Sequence, residues 1–424
     1  MINRKTAPAI VDAVNFNLQL KPYEKIVLRN GVKVYAIDAG AEEVMSIEWV
    51  FSAGNSFEEQ NLVAATTNFL LRNGTSTKTA FQLNEHFEYF GSYLNRTCYN
   101  ETAAITLHCL TKHVGELLPV VRELITDSVL PEEELATYKQ NMKQRLKVNL
   151  KKSDFVAGRL IDVYLFGEQH PYGKFSRAED FDALQREQLL DFYTTYYKQG
   201  KLVIFIAGRL PANLEKLLNQ YFGDLNNRAI AVKETPAHPS PGKKFRITND
   251  TEGAQGSVRI ARPFPNRHHP DFMKVQVLNC LFGGFFGSRL MSNIREDKGY
   301  TYGIHSYLVN HMQQSAWMIG TEAGKDVCEA TIGEVYKEMK SLCEDPVDEE
   351  ELLLVRNYMM GGILGELDGP FQIISRWKNI ILNNLEENYF YDSIRTIRTI
   401  SADELQQLAQ KYLNPEEFYE LVVI

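Results

Sequence analysis

The chain carries a faint echo of itself, and that echo limits what it can fold into. Glu132-Glu133-Glu134-Leu135 returns as Glu349-Glu350-Glu351-Leu352, 217 residues further on. Each copy stands between one amphipathic helix pattern and a second, longer helix. Ahead of the first, Val114, Leu117, Leu118, Val121, Leu124 and Ile125 recur at three- and four-residue spacing; ahead of the second, Ile332, Val335, Tyr336, Met339 and Leu342 do the same. That spacing lays a single apolar stripe along a helix. Glutamates favour any helix start, because they face the positive end of its dipole, so the tetrad alone says little. The shared order of strands, paired helices and acidic start predicts a duplicated α+β domain, each copy a mainly antiparallel sheet packed against helices.

The first copy opens with a hairpin, in which segments 25–29 and 32–37 flank Asn30-Gly31, a pair suited to a tight type I′ turn. A strand over 44–51 ends at Ala53-Gly54. Helices follow over 58–72 and 79–90, then strands near 92–97 and 102–109, the striped helix, and a long helix over 135–151. Past the midpoint the pattern breaks into Glu234-Thr235-Pro236-Ala237-His238-Pro239-Ser240-Pro241-Gly242. Proline at that density suits a semi-rigid connector. The expected division is residues 1–228, a linker at 229–243, and residues 244–424; a long surface loop within one domain is the other reading.

A net charge of −8 argues against nucleic-acid or anionic-membrane partners, which call for a basic face. No apolar h-region follows Met1-Ile2-Asn3-Arg4-Lys5, and no apolar run approaches the roughly 20 residues of a spanning helix. The five cysteines (Cys98, Cys109, Cys280, Cys328, Cys343) are scattered, odd in number and without a C-x-x-C pair. They read as reduced core residues, and a cytoplasmic location is expected.

Familiar catalytic patterns are scarce. No two of the nine histidines stand four apart as metal ligands on a helix face would. His268-His269 lies in a proline-rich turn and reads as solvated loop, while His170, in His170-Pro171-Tyr172-Gly173, reads as structural. There is no G-x-S-x-G elbow, and Gly283-Gly284 lacks the lysine and hydroxyl that would grip a phosphate.

One stretch is more specific. Leu281-Phe282-Gly283-Gly284-Phe285-Phe286-Gly287-Ser288-Arg289-Leu290 runs on through Asn293-Ile294-Arg295-Glu296-Asp297-Lys298-Gly299-Tyr300-Thr301-Tyr302-Gly303. With the duplication, it resembles the M16 (pitrilysin) metallopeptidase family, and within it the dimer-forming group typified by mitochondrial processing peptidase. Active members carry H-x-x-E-H on the first helix of the N-terminal domain, two zinc ligands and a general base. The surrounding landmarks are here, Ala53-Gly54 before the helix and Asn73-Gly74-Thr75 after it. Counting from them, the resemblance puts the first histidine at Ala65, the base at Asn68 and the second histidine at Phe69. The family's third ligand, a glutamate on a later helix, falls at Arg145, a permanent cation where a dication would sit. All four positions of this degenerate zinc site are substituted, so no cofactor is expected in this chain.

The resemblance also implies an arginine and a tyrosine, given by the C-terminal half to an active site built on the catalytic half; here they match Arg295 and Tyr302. Read without the family, Arg295 could pair with Glu296 or Asp297, and Tyr302 could be a half-buried strand residue. The implied function is a non-catalytic subunit that lends this pair to a zinc-bearing, H-x-x-E-H partner acting on a peptide. A structural scaffold like the respiratory core proteins, or a metal-free peptide-binding homodimer, are the alternatives.

Overall fold

The computed structural model describes residues 11–231, 234–249 and 252–424. Eleven strands form two sheets: β1 (Glu24–Val27), β2 (Lys33–Asp38), β3 (Val44–Phe51), β4 (Tyr93–Cys98), β5 (Ala103–Leu110) and β6 (Leu202–Gly208) in the first, and β7 (Lys244–Ile247), β8 (Gln255–Phe264), β9 (Thr301–Asn310), β10 (Ser315–Gly324) and β11 (Tyr419–Val423) in the second. The first sheet runs β1-β2-β6-β3-β5-β4 and the second β7-β11-β8-β10-β9. Stripped of β1, the two orders are the same. In each, one parallel pair (β2 with β6, β7 with β11) leads into an otherwise antiparallel ladder. The fold is a duplicated α+β unit.

Local details depart from the sequence pattern for identifiable reasons. The hairpin turn is not type I′. Gly31 has φ of +82° but Asn30 is not among the positive-φ residues. Gly31 N donates to Leu28 O at 2.8 Å and Leu28 N to Val32 O at 2.9 Å, which makes a type I turn closed by a left-handed glycine. Asn30 instead turns outward from the ladder, its Nδ2 donating to Phe222 O (2.9 Å) and Leu225 O (2.7 Å). The first helix is also shorter than expected. It is α1, Val63–Leu70, because the Glu58 carboxylate accepts from Leu62 N (3.2 Å) and Ala64 N (2.8 Å) and so caps the helix from outside it. Further helices are α2 (Ala80–Tyr89), α3 (Val114–Asp127), α4 (Glu132–Asn149) and α5 (Ser153–Phe166). In α4 the acidic tetrad is the first turn itself, where the sequence pattern suggested a start at 135.

The halves exchange a layer. Helix α5 leaves the first half and packs on β8 and β11 of the second sheet, burying Ala157, Ile161 and Leu165 against Ala261, Met318 and Leu421. The helix Pro370–Leu382 makes the reciprocal move onto β2 and β6, burying Ile373, Ile374 and Trp377 in a core shared with Tyr35, Ile37 and Phe205. Trp377 Nε1 donates to Lys21 O at 2.8 Å, and Lys378 meets Glu48 at 2.8 Å. Each fully buried apolar side chain of this size contributes roughly 1.5–3 kcal/mol, so the exchanged helices bind the halves firmly. Among the described residues no helix is long and apolar enough to cross a membrane.

Candidate functional site

The first half sets the positions that the sequence marked as a degenerate zinc site on a tight corner. A Cβ on Gly54 would lie 2.4 Å from the carbonyl oxygens of Tyr99 and Asn100. Only glycine lets the chain leaving β3 pass so close to the β4–β5 turn, where Asn55 N donates to Tyr99 O at 3.0 Å and Ser56 N to Asn100 O at 2.7 Å. That corner sets α1 beside β4. On α1, Ala65 is half-buried, Asn68 is buried and Phe69 is 43% exposed. Asn68 Nδ2 donates to Tyr197 Oη (3.1 Å) and Ala104 O (3.4 Å), which leaves the residue at the base position committed to structural bonds. The Phe69 ring packs on Tyr138 of α4 with centroids 4.7 Å apart. The Arg96 guanidinium, from β4, lies 5.2 Å from the same ring centre and donates from Nη1 to Phe69 O.

Arg145 is not drawn into this group. It stands two turns beyond Tyr138 on the same side of α4, exposed, with no hydrogen bond or ion pair among the described residues. The residues present do not fit a zinc ion: an alanine, an asparagine amide, a phenyl ring and a guanidinium offer no suitable donor set. Among the described residues no group of three histidine, cysteine or carboxylate side chains could hold a metal.

The second half is built differently. A Cβ on Gly283 would sit 2.7 Å from Ser306 Cβ and 2.8 Å from Leu290 Cδ1, so this glycine allows the loop before Arg295 to lie flat on β9. Arg289 makes a bidentate bond to Glu351 (2.9 and 2.8 Å), and this carboxylate raises the arginine pKa. Asn293 Nδ2 donates to Glu338 at 2.7 Å. After Arg289, Met291–Asp297, which includes Asn293, is wound as a π-helix, and Gly299, at φ +66°, turns the chain into β9. Arg295 lies over the exposed Phe286 ring, 4.4 Å from its centre, with Glu296 at 3.8 Å. Tyr302, on the open edge strand, is 90% exposed. Arg295 and Tyr302 together line an open cleft of about 820 Å³ with Gln255, Gly299 and Asp326.

Comparison with known proteins bears on both halves. The model of the peptidase M16 inactive domain matches residues 183–359. The uncharacterized zinc protease YmxG of Bacillus subtilis is 22% identical over 406 residues, covering 94% of this chain and 95% of that protein. Mitochondrial-processing peptidase subunit beta of Mus musculus is 24% identical over 371 residues, covering 82% and 73%. Among solved structures, a peptidase M16 inactive domain from Pseudomonas fluorescens superposes with a TM-score of 0.85, at 23% identity, over 95% of this chain and 98% of that one. The chain resembles M16 peptidases: the inactive-domain model matches residues 183–359, and the fold matches that of an M16 inactive domain over 95% of the chain. Its match to the M16 inactive domain includes Arg295 and Tyr302 and excludes α1 and Arg145. A complex III2 structure from Candida albicans shares the M16 fold at a TM-score of 0.75 and 14% identity, over 94% and 95% of the chains.

Several residues of these two clusters escape sequence reasoning. Arg96 and Tyr138 meet Phe69 only through tertiary packing. Phe286 lies within the glycine-rich stretch, but nothing local marks it as the platform for Arg295. His170 is buried, its Nδ1 accepting from Tyr172 N at 3.1 Å, in keeping with a structural role. His269 Nδ1 accepts from Asp271 N at 3.1 Å within its turn, and His268 is exposed.

Proposed function

We propose that this chain is the non-catalytic subunit of a two-chain M16 zinc peptidase, lending Arg295 and Tyr302 to a separately encoded, zinc-bearing partner with H-x-x-E-H. The carrying observation is the asymmetry of its two sites. One has lost every metal ligand, and the other holds Tyr302 with 90% of its surface in solvent. A ring so exposed contributes little to the stability of its own chain, and its hydroxyl has no hydrogen bond among the described residues. Attack on a peptide carbonyl leaves an oxyanion, to which Tyr302 Oη can donate, while Arg295, steadied over Phe286, can hold a substrate carbonyl or support the same charge. A preorganised donor of this kind is worth about 10²–10³-fold in rate. Zinc belongs to the partner, and the pair is assigned to the cytoplasm on the sequence features given above.

The peptide would lie extended. Strand β4 has one open edge, beside the vacated site, and an open edge can take an added strand through main-chain hydrogen bonds. A purely structural scaffold has no use for an exposed tyrosine next to a steadied arginine. The test is co-purification with the zinc subunit and an assay on an unstructured peptide. The pair should cut and the partner alone should not. Tyr302→Phe and Arg295→Ala should each slow the pair by about 10²–10³-fold while the complex still elutes intact. Equal rates with and without this chain, or variants with unchanged rates, would sink the proposal.

A further inference from the structure

Beside the vacated position stands a cation that nothing neutralises. Arg96 is half-buried, donates from Nη1 to Phe69 O, and lies with its guanidinium 5.2 Å from the Phe69 ring centre. Its Nε is buried without a hydrogen-bond partner, and its Nη2 makes no hydrogen bond among the described residues. Burial pulls its pKa down to about 10, Arg72 pulls the same way, and no carboxylate opposes them. Arg72 is itself engaged with Leu94 O at 3.1 Å. Several other covered arginines meet a carboxylate, Arg259 with Glu322 (2.9 Å), Arg262 with Glu417 (2.5 Å) and Arg289 with Glu351 (2.8 Å), while Arg159, like Arg96, bonds a backbone carbonyl and makes no ion pair among the described residues.

A half-buried charge without a counter-ion is a cost to folding. Folding gains from Arg96 the bond to Phe69 O and the contact with the Phe69 ring, but no ion pair among the described residues. Its position is informative. It projects from β4, whose outer edge is open, and its neighbours Tyr93 and Tyr99 are each 63% exposed. A guanidinium is the side chain best shaped for a carboxylate, and the bond is stronger where water is partly excluded.

We propose that the vacated metal position is a carboxylate site, in which Arg96 receives an acidic group of a peptide laid along β4. The inference rests on the reading that this chain closes over a peptide. The acidic group can come from a glutamate or aspartate within the peptide, or from its C-terminus.

The full chain alone, without the zinc subunit, is titrated with three dye-labelled unstructured peptides. One has an internal glutamate and an amidated end, one has glutamine there and a free C-terminal carboxylate, and one has glutamine and an amidated end. At least one carboxylate peptide should bind about tenfold more tightly than the neutral one, as a single charged hydrogen bond provides; which of them does so identifies the source. Arg96→Met should erase the preference while circular dichroism shows the fold intact, so that the loss is one of binding. Arg96→Lys, which keeps the cation but not the fork, should retain part of it. Equal binding of all three peptides overturns the proposal, as does a preference that survives Arg96→Met. Loss of the partner's acceleration with carboxylate-dependent binding intact would defeat only the shared-site reading, since binding is read without the partner.

Discussion

Apart from β1, the two halves share a topology and differ in what they do with it, and the acidic tetrads show where the line falls. Glu134, third in the first tetrad, accepts from Asn73 Nδ2 at 2.7 Å, just past the end of α1. Glu351, third in the second tetrad, grips Arg289, just ahead of the segment that bears Arg295. The same glutamate in each copy ties its long helix to the segment that carries the site. The repeated motif is therefore an anchor, kept because the fold requires it. The site residues themselves are free to part company: Phe69 over Tyr138 and Arg96 in one half, Arg295 over Phe286 with Tyr302 in the other. Duplication preserves the frame and leaves the chemistry to drift or to be divided.

The comparison can be broken most severely where the halves are laced together. Trp377→Ala should cost about 3–5 kcal/mol, as expected for a large buried aromatic. Denaturant unfolding followed by probes in each half should still give one transition; two separate midpoints would mean that the halves stand independently. Next comes pH. Burial raises the Glu58 carboxyl to about 7 from an ordinary 4.5. The folded chain then holds a proton that the unfolded chain has released, so Glu58 lowers stability progressively as pH rises from about 4.5 to 7. Against Glu58→Gln, the wild type should lose up to about 3 kcal/mol over that window, as read from unfolding midpoints at the two ends.

Glycines sharpen the contrast at a smaller scale. Gly54→Ala, which forces a methyl onto two backbone carbonyls, should destabilise by about 1–3 kcal/mol and shift α1 relative to β4. Gly361→Ala, in the helix Glu349–Gly365 with open space around it, should stabilise by about 0.5–1 kcal/mol. Thermal unfolding of the two variants side by side checks both signs. Smallest is Arg145→Ala: an exposed side chain with no partner should change stability by less than about 0.5 kcal/mol, and a larger loss would mean that Arg145 braces α4.

Much of this frame is legible in the sequence, because strands such as Val44–Phe51 and stripes such as that of Val114–Asp127 are written in local periodicity. The duplication is legible too, through order more than identity. What lies outside local pattern is not. The exchange of α5 and Pro370–Leu382 depends on which sheet a helix finds in space. The turn at Asn30 follows from carbonyls of Phe222 and Leu225, far along the chain. At the site, the family landmarks locate Ala65, Asn68 and Phe69 by counting, but not the neighbours that fill the space, since Arg96 arrives from a strand and Tyr138 from another helix. The open face of Tyr302 is equally invisible, because alternation along a strand cannot tell an edge from a centre.

The exchanged helices have a mechanical meaning as well. A proline-rich connector between two sheets invites the picture of a hinge, yet each sheet is roofed by a helix that belongs to the other half. Swinging the halves apart would strip both roofs at once and expose two apolar faces to water. The exchanged helices tie the halves into a single plate, so on the proposed two-chain reading any opening for a peptide would fall along a seam between whole chains.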